Sequence, residues 1–282
     1  MRILTFDIEE WFQLLDHPSL ESVSSWNSYE SRIEGNVERI LSFLEERNLK
    51  ATFFCLGWVG KNYPQLVKKI SDRGYEIGSH TTNHTLVYNH TPESFKKDLL
   101  QSIDILSNIT GKKIKYFRAP GFSICETELW AFEILSAVGI EIDCSVFPAA
   151  RAHGGIPSYN FSGPSIIKHN GIELKELPIS IHSIMNKKFV FSGGGYFRLF
   201  PYELIKRWTK SSEYIMTYFH PRDFDPGQPI IKSLSLTRKF KSYVGINGAL
   251  NKLDKWVNDF DFIDIDEANK RIDWTKVKRI EL

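Results

Sequence analysis

Short apolar segments of strand length alternate with amphipathic segments of helix length, and this alternation limits the possible folds more than any other feature of the sequence. Residues 2–6 read as a strand, Val37, Ile40, Leu41 and Leu44 recur at helical spacing between Asn36 and Arg47, and residues 51–56 read as a buried strand. Pro64 to Arg73 predicts a helix stopped by Gly74, followed by a strand over 75–79 that ends at His80. Thr91 ahead of Pro92 marks a helix start and Gly111 its stop, with Phe95, Leu99, Ile103 and Leu106 facing inward. A strand end at 116–118, a helix from Glu126 to Val138 and strands over 140–146, 172–181 and 214–219 follow. A helix over Ala249 to Val257 and a final strand over Phe260 to Ile265 complete the pattern. It argues for an α/β fold around a mostly parallel sheet, either closed as a barrel or open and doubly wound. Residues 147–171 and 182–200, rich in Gly, Pro, Ser and His, read as long loops. No stretch reads as a linker, so residues 1–282 are expected to form a single domain.

Charge narrows the function classes. Lys and Arg number 36 against 34 Asp and Glu, which gives no basic footprint for nucleic acid. Cys55, Cys125 and Cys144 show no paired spacing and sit in apolar runs, the pattern of free thiols in a reducing compartment. No apolar run reaches the length of a membrane span and no signal peptide is evident, so the cytoplasm is the expected location.

Polar residues gather at strand ends. Asp7, Glu9 and Glu10 follow the first strand, and His80 and His84 follow the one at 75–79. Arg118 ends the strand at 116–118, Asp143 lies in the one at 140–146, and His220 ends the one at 214–219. Parallel strands point their C-terminal ends to one face, so these side chains are expected to converge. His80 and His84 have a His-x3-His spacing that one helical turn would bring to a single ion. With one carboxylate they would leave coordination positions open, as a catalytic site requires. Asp7 and Glu9 are two apart, so an extended backbone would point both to one side. Arg118 could hold a carboxylate ionised and oriented.

Taken in order, Thr5-Phe6-Asp7-Ile8-Glu9, Ser79-His80-Thr81-Thr82-Asn83-His84, Arg118-Ala119-Pro120-Gly121 and Phe219-His220 resemble the motifs of polysaccharide deacetylases, the NodB-homology group or carbohydrate esterase family 4. The resemblance spans roughly residues 1–225. Asp7 to Phe12, Gly193 to Arg198 and His220 to Pro226 further resemble a subgroup associated with bacterial exopolysaccharide loci, whose C-terminal extension would match about residues 226–282.

That resemblance implies a distorted (β/α) barrel of about seven parallel strands. It implies hydrolysis of N-acetyl groups on the amino sugars of a bacterial polysaccharide or its precursor, aided by a divalent metal ion, zinc first. Asp7 matches the general base, His80 and His84 two metal ligands, Arg118 the residue positioning the base, and His220 the general acid. Ile8 stands where many members carry a second aspartate, so the carboxylate ligand is expected from Glu9 or Glu10, Glu9 favoured. Asp143 is the candidate for the aspartate that supports the histidine. The N–H of Gly121 or Phe122 would hold the oxyanion, and Phe122, Phe147, Tyr196, Arg198 and Arg222 are candidate substrate contacts. Expected partners are an acetylated amino-sugar polymer, an oligosaccharide or a lipid-linked glycan. The basic stretches Lys232–Lys241 and Lys270–Arg279 leave open a peripheral contact with the inner membrane surface. A catalytically silent carbohydrate-binding relative and an allantoinase-like amidohydrolase are the alternatives.

Overall fold

The computed structural model describes residues 1–15, 23–150, 154–184 and 187–282. Its strands are β1 (Arg2–Ile3), β2 (Thr5–Ile8), β3 (Thr52–Cys55), β4 (Glu76–Ser79), β5 (Tyr116–Phe117), β6 (Ile142–Asp143), β7 (Ser165–His169), β8 (Ile172–Glu176), β9 (His182–Ile184), β10 (Lys187–Phe189), β11 (Ile215–Met216) and β12 (Lys278–Glu281). The helices are α1 (Val23–Trp26), α2 (Ile33–Glu46), α3 (Gly57–Asn62), α4 (Pro64–Asp72), α5 (Pro92–Thr110), α6 (Trp130–Ala137), α7 (Gly194–Leu199), α8 (Tyr202–Ser211), α9 (Leu236–Tyr243), α10 (Ala249–Asp259) and α11 (Ile265–Arg271).

Among the described residues the main sheet has the order β12-β7-β8-β6-β5-β4-β3-β2. The run from β2 through β6 to β8 is parallel, while β7 pairs antiparallel with β8. On the far side, β11 runs parallel to β1, with Thr217 N–H donating to Ile3 and Phe219 N–H to Thr5. Beside β8 the link to β11 is made by side chains. Ser180 Oγ accepts from Met216 N–H at 3.3 Å, and Ser192 Oγ donates to Met216 C=O at 2.8 Å. Among the described residues these serine contacts bring the two sides of the sheet together, and the expected α/β fold with a mostly parallel central sheet is what the chain adopts.

Helices cover the sheet because their apolar stripes need burial. Val37, Ile40, Leu41 and Leu44 of α2 are buried against Phe6 and Ile8 of β2 and Phe53 of β3. In α5, Thr91 and Ser94 form a reciprocal capping box behind Pro92, and Gly111 takes the left-handed conformation (φ 67°) that ends the helix. Such a cap is worth roughly 1 kcal/mol. Phe95, Leu99 and Leu106 are buried and Ile103 packs partly against them.

Several expected elements differ. Helix α6 begins at Trp130 rather than Glu126, and the strands at 140–146, 172–181 and 214–219 are shorter ladders. Phe260 to Ile265 is not a strand. Ile263 makes one bridge to Ile3, and Asp264 then caps α11 by accepting from Glu267 N–H. The terminal strand is instead β12, paired with β7, so residues 226–282 thread back into the sheet. The expected loops contain strand β7, the hairpin β9–β10 and helix α7; residues 151–153 and 185–186 lie outside the described set. Asn170-Gly171 (φ 44° and 83°) makes the tight β7–β8 turn within what the sequence reads as a loop.

Candidate active site

Three facts of local structure bring the site together. Along β2, Phe6 and Ile8 point into the layer beneath α2, so Thr5, Asp7 and Glu9 share the opposite side. Strand β4 delivers His80, and Arg118 follows β5 directly. The segment after β11 delivers His220, next to Phe219, which bridges Phe6.

His80 and His84 do not lie on a helical turn as the spacing predicts. Thr81 (φ 67°) and His84 (φ 57°) are left-handed, and the loop is pinned from two sides. Gly57 and Trp58 at the start of α3 donate to the carbonyls of Thr81 and Thr82. Asp98 of α5 accepts from Thr82 N–H at 2.8 Å, and its carbonyl accepts from Thr82 Oγ1. A Cβ on Gly57 would lie 3.1 Å from Thr82 Cα, so the glycine lets α3 approach. Asp98 was not anticipated; its sequence signal is only a carboxylate on the inner face of α5.

Glu9, His80 and His84 are buried, with one ligand atom of each lying within 4.8 Å of the others. His80 Nδ1 lies 2.7 Å from the Arg118 carbonyl, which directs its Nε2 to the cluster. Glu9 Oε2 is 2.7 Å from His84 Nε2 yet has no partner at hydrogen-bonding angles. An imidazole nitrogen and a carboxylate oxygen that face each other in a buried site without hydrogen-bonding geometry are what ligands of one cation present, so the residues fit a divalent ion. Burial, then His84, holds His80 well below the ordinary histidine range. Burial pushes Glu9 upward, but His84, His220 and His80 outweigh it and hold its carboxyl low. Both groups are therefore in the deprotonated state that binds metal. Glu10 faces elsewhere: it accepts from Ser31 Oγ and from the N–H groups of Arg32 and Ile33 at the start of α2.

Asp7 is not part of that donor set and is held by Arg118. The arginine is fully buried; its Nη1 donates to Asp7 Oδ1 at 2.7 Å and to Thr5 Oγ1 at 2.8 Å. Its guanidinium lies 4.3 Å over the Phe54 ring, held there because Gly78 leaves room; a Cβ on Gly78 would stand 2.6 Å from that ring. His220 Nε2 faces both acids, 3.9 Å from Asp7 Oδ2 and 3.8 Å from Glu9 Oε1.

Asp223, not Asp143, supports His220. Its Oδ2 accepts from His220 N–H at 2.9 Å and lies 3.0 Å from Nδ1, within one short turn. Burial lowers the His220 pKa, but Glu9 and then Asp223 outweigh it and raise the ring to about 9. Asp223 itself is held at about 2: burial opposes ionisation, and Arg198 and His220 overcome it. The signal missed was the i, i+3 spacing of His220 and Asp223 across Pro221. Asp143 instead accepts from Ser145 Oγ at 2.6 Å, and Ser145 Oγ accepts from Ala119 N–H at 2.8 Å. It faces Glu176 across the β6–β8 ladder, and burial raises both carboxyls.

The remaining candidates divide. Phe122 N–H donates to Ala119 C=O at 3.0 Å, so of the two expected oxyanion donors only Gly121 remains for a ligand. The Phe122 ring packs edge-on against Tyr218 and lies 6.1 Å from Phe147. Tyr196 is 46% exposed and stacks on Phe200. Arg198 is buried, paired with Asp223 at 3.2 Å and bonded to the carbonyls of Lys241 and Ser242, so its charge is spent inside the protein. Arg222 is buried with Nε on Gln228 and Nη2 unpartnered.

Residues 15–137 match the polysaccharide deacetylase family, and residues 144–270 match a domain of unknown function, DUF3473. A peptidoglycan-N-acetylglucosamine deacetylase of Bacillus cereus is 29% identical over 137 residues, 47% of this chain and 50% of that protein. The chain spans half or less of the length of the curated relatives it first matches. Among solved structures, a Mycobacterium smegmatis protein assigned to the polysaccharide deacetylases superposes with a TM-score of 0.67 at 19% identity, over 99% of this chain and 92% of that one. PuuE allantoinase superposes at 0.59 and 14% identity, over 95% and 88%, a likeness of fold alone. Residues 15–137 are thus similar in sequence to polysaccharide deacetylases, and the fold likeness extends across the whole chain.

Proposed function

We propose that the chain is a metal-dependent N-deacetylase acting on acetylated amino sugars of a bacterial polysaccharide or its precursor, of the kind made from exopolysaccharide loci. One observation carries the reading: Glu9, His80 and His84 form a buried donor set beside a separate, arginine-held carboxylate, Asp7, and a buried histidine, His220.

Amide hydrolysis needs an activated water, a place for the oxyanion and a proton for the leaving amine. A divalent ion held by Glu9, His80 and His84, zinc by its donor chemistry, would polarise the acetyl carbonyl and acidify water. Asp7 Oδ2, the oxygen not bonded to Arg118, accepts the proton of the attacking water. Arg118 fixes the angle of Asp7 by its hydrogen bond to Oδ1. The Gly121 N–H supplies an oxyanion donor, a contribution of roughly 3–4 kcal/mol at such sites. His220, protonated at neutral pH because of Glu9 and Asp223, gives its Nε2 proton to the departing amine. Asp223 holds the ring so that Nε2 faces the cleft. Tyr196, exposed on α7, offers a flat face to a sugar.

The experiment is an acetate-release screen over nucleotide sugars, lipid-linked sugars and N-acetylated oligosaccharides, with chelator and metal add-back. Chelator-sensitive release restored by zinc is the expected result. Tight sugar binding without release would make the protein a silent relative. Chelator-resistant hydrolysis of cyclic amides would overturn the deacetylase reading.

A further inference from the structure

Helix α9 is fixed to the protein by its backbone and leaves its apolar side chains unused. None of its residues is buried. Arg198 ties it down by donating to the carbonyls of Lys241 and Ser242. Arg238 reaches back to the Leu15 carbonyl. Tyr243 Oη donates to Pro229 C=O and accepts from Ile231 N–H, which folds the preceding segment against the end of the helix. Leu236, Phe240 and Tyr243 fall on one stripe at i, i+4 and i+7. Leu236 is 84% exposed, Phe240 56%, and Ile230, beside Tyr243, 66%. A single exposed leucine needs no explanation, but these lie along one edge.

The charge of this stretch of sequence has one sign. Between Asp225 and Asp254 the sequence contains no acidic residue, while Lys232, Arg238, Lys239, Lys241 and Lys252 fall in that interval. Lys252 is spent on the carbonyls of Phe197, Arg198 and Phe200, and Lys232 and Lys241 are exposed. Protein interfaces are depleted in lysine, whereas a short surface helix with Leu and Phe on one stripe and lysines beside it suits an anionic bilayer. The patch also lies close to the cleft: Arg198, which holds α9, pairs with Asp223, which holds His220.

We propose that α9 and residues 230–232 form a peripheral docking surface for anionic phospholipid bilayers, with Leu236, Phe240 and Ile230 entering the interface and Lys232, Lys239 and Lys241 meeting the headgroups. This surface goes beyond the deacetylase reading and does not depend on it, since vesicle binding requires no turnover.

The test is co-sedimentation of the full chain with vesicles of phosphatidylglycerol and phosphatidylcholine against vesicles of phosphatidylcholine alone. Binding should require the anionic lipid and fall with salt. Leu236→Glu with Phe240→Glu should lower partitioning on the order of 100-fold. Lys239→Gln and Lys241→Gln should each lower it roughly fivefold. Circular dichroism and unchanged urea midpoints would show that these variants keep the fold. Absence of sedimentation, or equal binding to both vesicles, would overturn the proposal. So would light scattering that shows a wild-type dimer dissolved by the glutamate pair, because the patch would then belong to a second copy.

Discussion

Replacing Asp223 with Asn isolates the electrostatic support of His220 while keeping its shape. The ring stands at about 9 against an ordinary 6.5. That rise of about 2.5 units corresponds to about 3 kcal/mol favouring the protonated form. Burial works against it; the charge of Glu9 is the largest single compensation, followed by the hydrogen bond and charge of Asp223 and then by Asp7. An asparagine keeps one acceptor near Nδ1 but no charge, and is expected to bring the ring down by about 1–2 units. A general acid works while protonated, so the wild-type alkaline limb of kcat/KM falls near pH 9 and the variant's falls earlier. At pH 6 both enzymes carry the proton and differ least; at pH 8.5 the variant trails by about 3- to 25-fold.

The same substitution has a stability cost with a defined pH window. Asp223 has a folded pKa of about 2 against 3.8 in the unfolded chain. A lowered acid contributes stability that is complete above 3.8 and lost as pH falls through 2. About 2 kcal/mol follows from that shift, and stranding buried Arg198 without its carboxylate adds to it. Urea midpoints of the two proteins should therefore differ at neutral pH and converge in acid. The assay is acetate release from an N-acetylated oligosaccharide across pH, with urea unfolding in parallel. Superimposable alkaline limbs in a folded variant would refute the assignment of Asp223 to His220.

Asp7→Asn should cost about 10²–10⁴ in kcat while zinc content by emission spectroscopy stays at the wild-type level, because the carboxylate is bound to Arg118 rather than to the donor cluster. His84→Ala should remove zinc and turnover together, and isothermal titration with zinc should show affinity lowered by at least about tenfold. Glu176→Gln should stabilise the protein increasingly as pH rises above 5. Burial raises Glu176, with Asp143 adding to the effect, and a raised acid contributes stability that fades above its unfolded pKa by about 1.4 kcal/mol per pH unit. Urea midpoints at pH 5 and 8 test this, and parallel curves for the two proteins would count against it.

The residues that end strands were legible because strand ends are local features. Asp7 and Glu9 keep the period of β2 one residue past its last ladder pair, and Arg118 follows β5 directly. What one segment does to another was less legible. The spacing of His80 and His84 suggested a helical turn, but Asp98 and the start of α3 hold the pair in left-handed loop conformations. Asp143 occupies the expected strand yet lies on the Ser145 side, whereas Asp223 reaches His220 across a turn of three residues. Arg198 looked like a ligand group because exposure cannot be read from charge; α9 and Asp223 consume it. Strand β12 escaped notice because Lys278, Arg279 and Glu281 are polar at an edge, where only Ile280 is buried.

The spacing of the first motif follows from the register of β2. Ile8 pairs with Cys55 and is fully buried in the layer that α2 covers. An acid at position 8 would point there, away from the histidines, and would bury a charge in an apolar layer. A second carboxylate on the cleft side must therefore come two residues after Asp7. Position 9 lies beyond the ladder, where the longer Glu side chain spans the distance to His84. This register separates the two carboxylates by chemical environment. Asp7 meets a guanidinium that leaves one oxygen free for a proton, and Glu9 meets imidazoles that share a cation's surroundings with it. Two acids on one strand face thus acquire different functions from their neighbours alone, as catalysis with a base beside a metal centre requires.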